Sequence, residues 1–154
     1  LRSNLSIALV SILMSIFMYV ADSSKKGSIN LKNHNYLDSF LIGLSQALAI
    51  VPGVSRSGVT ISTALISGWG RADAAKFSFL LGIPAISIAA IVEFISFFNE
   101  LNSFSFLQLV VALSTTFFSS LFAIDFLLKY LSSKGLRIFI IYRLVFGVVI
   151  LLSL

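Results

Sequence analysis

The chain is 154 residues long, with 58% hydrophobic and 11% charged residues; an ordinary soluble domain carries about 25% charged residues, so this composition argues against a water-soluble fold. It has no cysteine, which excludes disulfides and thiolate metal sites. The net charge of +5 comes from Lys and Arg scattered over the connections between apolar blocks, a pattern that fits membrane orientation and not a nucleic-acid surface.

Residues 4–21 are an uncharged run, about 27 Å long as a helix and just sufficient to cross a hydrocarbon core of about 30 Å. Residues 22–36, with Lys25, Lys26, Lys32, Gly27 and several Ser and Asn, read as a polar loop. His34, the only histidine, falls in this loop and is expected to be solvated.

Residues 37–68 break the pattern of simple spans. An apolar stretch, 37–51, runs into Pro52-Gly53, then a polar Ser-Arg-Ser-Gly, then a second short apolar stretch, 59–66. Neither stretch spans alone. Proline and glycine stop the first helix and the serines offer oxygens to cap the next, which predicts two half-helices meeting at a buried loop, a re-entrant unit.

The remaining chain reads more simply. Residues 68–73 form a turn, with Asp73 an N-cap or first-turn acid and Trp69 at an interface. Residues 77–98 are a second span, in which Pro84 predicts a kink. Residues 99–103 connect it to a third span, 105–128; 129–137 is a basic connection; 138–154 is a fourth span. The expected architecture is one all-α integral membrane unit over 1–154, with four transmembrane helices and one re-entrant helix-loop-helix at 37–68. Such a unit is half of an inverted-repeat fold. The absence of an initiator methionine at Leu1 points to the C-terminal portion of a longer chain, its partner repeat lying upstream.

If 37–68 re-enters without crossing, Lys25, Lys26, Lys32, Arg71, Lys76, Lys129, Lys134 and Arg137 all fall on one side, opposite Arg2 and Glu100. The positive-inside rule then makes that side cytoplasmic.

The loop 53–58 carries two hydroxyls and one guanidinium near the middle of the bilayer, where an arginine costs roughly 2.5 to 3.5 kcal/mol on insertion scales. A buried anion would offset that cost. Arg56 offers a phosphate two parallel bonds, and the helix starting after the loop offers free N–H groups. Ser55, Ser57 and Thr60 add hydroxyls, and Gln46, two turns before Pro52, offers an amide to the same cavity. The competing reading pairs Arg56 with a carboxylate and leaves the serines as caps. Glu93 reads as an interfacial carboxylate. Arg143, one to two turns inside the last span, is expected to snorkel to the cytoplasmic face or pair with Asp125. Gly43 and Gly82 are expected to permit close helix approach.

The run Pro52-Gly53-Val54-Ser55-Arg56-Ser57-Gly58-Val59-Thr60 fills every fixed position of a PGxSRSxxT signature. It resembles the second signature of the undecaprenyl-diphosphate phosphatase family associated with bacitracin resistance. The likeness extends to Gln46, to residues 74–81, to Pro84 and to Ile141-Tyr142-Arg143, and so covers essentially the whole chain. The resemblance implies hydrolysis of undecaprenyl diphosphate at the periplasmic side of the bacterial inner membrane, which recycles the lipid carrier for peptidoglycan synthesis. On that reading Arg56 and Ser55 carry catalysis, and Gly53, Ser55, Arg56, Ser57, Gly58, Thr60 and Gln46 bind the diphosphate. The family's N-terminal signature, with two glutamates, serines and a histidine, has no match here. That missing half is expected to supply the acid-base groups and any divalent cation, so this chain holds no metal or cofactor and is inactive by itself. The expected partners are the isoprenoid diphosphate and the bilayer, with a homodimer left open. The alternative function is a polyprenyl-phosphate transporter or flippase, because broken helices with anion-binding loops also serve carriers.

Overall fold

The computed structural model describes residues 3–24, 27–97 and 106–154. Their regular structure is helical: α1 (Asn4–Asp22), α2 (Tyr36–Gln46), a 3-10 turn (Ala47–Ile50), α3 (Arg56–Ile66), α4 (Arg71–Phe97), α5 (Phe106–Lys134) and α6 (Arg137–Leu152). Three helices, α1, α4 and α5, are long and apolar enough to cross a membrane. The last, α6, has 16 residues and is about 24 Å long, short of a perpendicular crossing. The expected connection 99–103, together with Arg2, Lys25, Lys26 and Glu100, lies outside the described residues.

Two helices are longer than the apolar blocks that mark them. α4 starts at Arg71 with Asp73 in its first turn, where a carboxylate meets the positive end of the helix dipole. It continues through Pro84 as one helix. α5 absorbs most of the expected basic connection and ends at Lys134. Lys129 pairs with Asp125 one turn back at 2.7 Å, and Lys134 lies in the last turn, where a cation is favoured. Gly135, at φ 73°, makes the reversal into α6.

α3 is the central element and packs on α1, α2 and α4, while α1 also packs along α6. Gly58, Val59, Thr60, Ile61, Ser62, Ala64 and Leu65 of α3 are all buried. In a bilayer, lipid tails remove the hydrophobic drive between helices, so close backbone approach through small residues carries the packing. Gly147 shows this at the α1–α6 contact: a Cβ there would lie 2.9 Å from the Ala8 carbonyl oxygen and 2.7 Å from Ile12 Cγ1. Gly43, expected to serve close approach, instead faces open space. α5 is the opposite case, with almost every large apolar side chain exposed, as expected where the solvent is hydrocarbon.

The C-terminal end of α1, the α3–α4 turn and the α5–α6 turn meet at one end of the bundle. There Arg71 Nη2 lies 2.8 Å from Asp22 Oδ1 and donates to the Asp22 carbonyl at 3.1 Å. Gly135 sits against both, since a Cβ there would lie 2.7 Å from Asp22 Oδ1 and 3.0 Å from Arg71 Cζ. The connection after α1 is held on the α3–α4 turn by backbone bonds between Ile29 and residues 68 and 70. His34 is therefore not a free loop residue: its ring packs 5.3 Å from Trp69 and 6.2 Å from Phe77. Trp69, expected at an interface, is 1% exposed beneath it.

Candidate functional site

The loop between the half-helices is built by its own residue types. Val54 N donates to the Val51 carbonyl at 3.1 Å, closing a four-residue turn with Pro52 second and Gly53 third. Pro52 supplies the fixed φ such a turn wants, and Gly53, at φ 96°, supplies the positive φ that a type II turn demands. Ser55 is extended and caps α3, its Oγ accepting from Gly58 N at 3.0 Å. The expectation that a serine caps the second half-helix is met at Ser55. Val59 N takes the Ser55 carbonyl, while the N–H groups of Arg56 and Ser57 carry no hydrogen bond among the described residues. The start of α3 thus keeps two free donors and the positive end of its dipole at the loop, the usual anion-binding arrangement.

Gly58 is buried against α1: a Cβ there would lie 2.7 Å from Ser55 Cβ and 3.2 Å from Met18 Sδ. The loop sits at the level of Ile7 and Val10 of α1, whose atoms flank Gly53. It is therefore about 18 Å, or twelve residues of α1, from the Asp22–Arg71 end.

The sequence-predicted residues separate onto two sides of α3. Ser55, Ser57 and Gly58 line a cavity of about 210 Å³ between α1, α3, α5 and α6, floored by apolar side chains such as Ile61 and Leu131. Arg56 goes the other way, toward α4, where its Nη2 would lie 3.4 Å from a Cβ at Gly82. Gly82 accordingly serves as the berth of an arginine as well as a packing residue. Thr60 also turns to α4. Its Oγ1 lies 2.6 Å from Ser78 Oγ and 2.9 Å from the Arg56 carbonyl, so its single proton is used inside the fold, by a carbonyl of α3 or by Ser78 of α4. Gln46 ends α2 with its Oε1 buried and without a hydrogen-bond partner among the described residues.

Arg143 departs from one expectation, since it does not meet Asp125, which is taken by Lys129. Instead Arg143 Nη1 donates to the Gly53 carbonyl at 2.8 Å, satisfying a loop oxygen that the turn leaves over. The signal was present: Arg143 is one turn before Gly147, and both therefore belong to the face of α6 that packs on α1. Glu93 stays on the exposed face of α4.

Among the described residues, ion pairs join Asp22 with Arg71 and Asp125 with Lys129. Neither Arg56 nor Arg143 meets a carboxylate, and the Arg56 guanidinium makes no hydrogen bond among the described residues. Two guanidinium groups thus flank one loop with donors to spare, which suits a ligand made of acceptors.

Residues 1–149 match the family model described as Bacitracin resistance protein BacA. The chain is 79% identical over 153 residues to a protein named undecaprenyl-diphosphatase from Prochlorococcus marinus strain MIT 9312, covering 99% of this chain and 57% of that relative. It is 77% identical over 154 residues to the protein of the same name from strain MIT 9215, covering 100% and 58%. With the counterpart from strain MIT 9313 the identity is 48% over 151 residues, covering 98% and 50%. The chain therefore spans little more than half the length of the curated relatives it matches.

Proposed function

Because this chain belongs to the bacitracin resistance protein BacA family, we propose that it forms part of an undecaprenyl-diphosphatase, which cleaves the terminal phosphate from undecaprenyl diphosphate. The product, undecaprenyl phosphate, returns as lipid carrier to peptidoglycan synthesis, and turnover of the diphosphate confers resistance to bacitracin. The observation that carries this reading is the unpaired Arg56 beside the free N–H groups at the start of α3. A guanidinium inside a bilayer without an anion is costly, and a diphosphate offsets that cost.

In this reading Arg56 clamps the diphosphate through two parallel bonds, and the N–H groups of Arg56 and Ser57 take further phosphate oxygens. Ser55 Oγ already accepts from Gly58 N, which leaves its own proton free to donate to the phosphate. Gly53 and Gly58 let the backbone come close, and Gln46 presents its amide from the end of α2. Thr60 supports Arg56 through α4. Charge builds on the phosphoryl oxygens during transfer, and these donors stabilise it because they are oriented beforehand. The loop has no carboxylate or imidazole, so the base that activates the attacking oxygen comes from the remainder of the full-length protein. Among the described residues no three His, Cys, Asp or Glu side chains gather as metal ligands.

For the membrane arrangement we propose four spans, α1, α4, α5 and α6, with α2 and α3 as a re-entrant hairpin and half of an inverted repeat. The Asp22–Arg71 end is cytoplasmic, because Arg71, Lys134 and Arg137 lie at helix ends there. The loop opens to the periplasm of the inner membrane.

The test is turnover of isoprenoid diphosphate by the full-length protein bearing this segment. Arg56→Lys keeps the charge and loses the planar fork. It should lower kcat/KM about 30-fold to nearly 1000-fold, equivalent to about 2 to 4 kcal/mol of transition-state stabilisation, with the melting temperature unchanged. Near-normal kcat/KM in that variant would refute the phosphate clamp.

A further inference from the structure

A second cavity lies on the side of the loop away from Arg56. It measures about 350 Å³ and is lined by Ile7 and Ser11 of α1, Gly53 and Val54 of the loop, and Tyr142, Arg143 and Phe146 of α6. Of the residues in the Arg56 clamp, Gly53 alone reaches it.

Two of its side chains, the buried Ser11 and the half-buried Arg143, have hydrogen-bonding capacity left over. Arg143 has five N–H donors, and the bond to the Gly53 carbonyl is its one hydrogen bond among the described residues. Ser11 is 1% exposed, lines the same space, and its hydroxyl makes no hydrogen bond among the described residues. Buried polar groups are ordinarily paired, and an unpaired one is destabilising, more so when it is charged. An ordered water needs only about 10 to 15 Å³ of such space, so the volume admits a larger polar group. A cavity whose two orphans are a cation and a hydroxyl calls for an oxyanion.

We propose that Arg143 and Ser11 form a second phosphate-binding subsite on the α1–α6 side of the loop. The inference rests on the diphosphatase reading, which supplies the phosphate. Its two sources are a phosphoryl group of the lipid substrate and the inorganic phosphate released. Arg143 would then serve twice, holding the Gly53 carbonyl with Nη1 and offering its remaining donors to the phosphate. Binding at this subsite and the shape of the turn that presents Ser55 would be coupled through one side chain.

The experiment measures, in the full-length enzyme, KM for isoprenoid diphosphate and the inhibition constant of inorganic phosphate for wild type, Ser11→Ala and Arg143→Lys, with melting temperatures alongside. Ser11→Ala touches no loop bond and should weaken phosphate inhibition about 10-fold at unchanged melting temperature. Arg143→Lys should weaken it as well, since a lysine cannot hold Gly53 and the anion in one plane. Weaker inhibition at constant KM assigns the subsite to released phosphate; a parallel rise in KM assigns it to the substrate. Unchanged inhibition and unchanged KM in both folded variants would overturn the proposal. A wild-type protein that does not hydrolyse the diphosphate would overturn the reading beneath it, and is told apart because the variants are then never compared.

Discussion

The two ends of α3 treat charge in opposite ways. At its C-terminal end, Arg71 is closed onto Asp22 at 2.8 Å and Gly135 packs so tightly that a side chain there would displace the pair. At its N-terminal end, Arg56 and Arg143 flank a glycine-containing turn and meet no carboxylate among the described residues. A charge compensated inside the fold holds helices together; a charge left open beside a turn is available to a ligand. The contrast predicts that mutations at the first end cost stability and mutations at the second cost chemistry.

Asp22→Ala should give the largest structural effect. It leaves Arg71 without its partner at a site where the Asp22 side chain is 7% exposed, and breaking a buried pair costs about 3 to 5 kcal/mol. Since Arg71 is 29% exposed, about 2 to 3 kcal/mol is expected here. Reversible unfolding in detergent measures it, and kcat/KM of the folded fraction should stay within about 2-fold, because 18 Å or so separates the pair from the loop. A selective loss of kcat/KM would break the comparison. Gly53→Ala should come next, at about 1 to 2 kcal/mol, because alanine resists φ 96°. Here the loss should appear in kcat/KM as well as in stability. Thr60→Val should be the smallest, at about 1 kcal/mol, removing the buried bond to Ser78. If Thr60→Val leaves stability intact yet cuts kcat/KM as deeply as Arg56→Lys, Thr60 contacts substrate directly and its place in the α3–α4 contact has been misread.

Much of this was legible in the residues. Pro52, Gly53 and Ser55 announce a break, a turn and a cap through local chemistry alone, and the half-helices fall where the apolar stretches do. Helix ends were harder: α5 runs to Lys134 through a charged segment that carries an Asp125–Lys129 pair, and hydropathy reads that segment as a connection. Side-chain direction was hardest. Arg56 and Ser55 are neighbours in sequence yet serve opposite faces of α3, since successive residues on a helix point about 100° apart. Arg143 was read against its nearest carboxylate, Asp125, when its partner was a carbonyl 90 residues away; only the pairing of α6 with α1 brings that oxygen near. His34 was misplaced for the same reason, a long-range contact with Trp69 of another connection.

The most direct test of the open-charge account is the affinity of the full-length protein for a methylene-bridged isoprenoid diphosphate, which binds without being cleaved. Titration of wild type and Arg56→Gln should show Kd rising at least about 30-fold in the variant, from losing a charge-assisted pair of hydrogen bonds, and the analogue should raise the melting temperature of wild type alone. Equal Kd values in the two folded proteins would contradict the account.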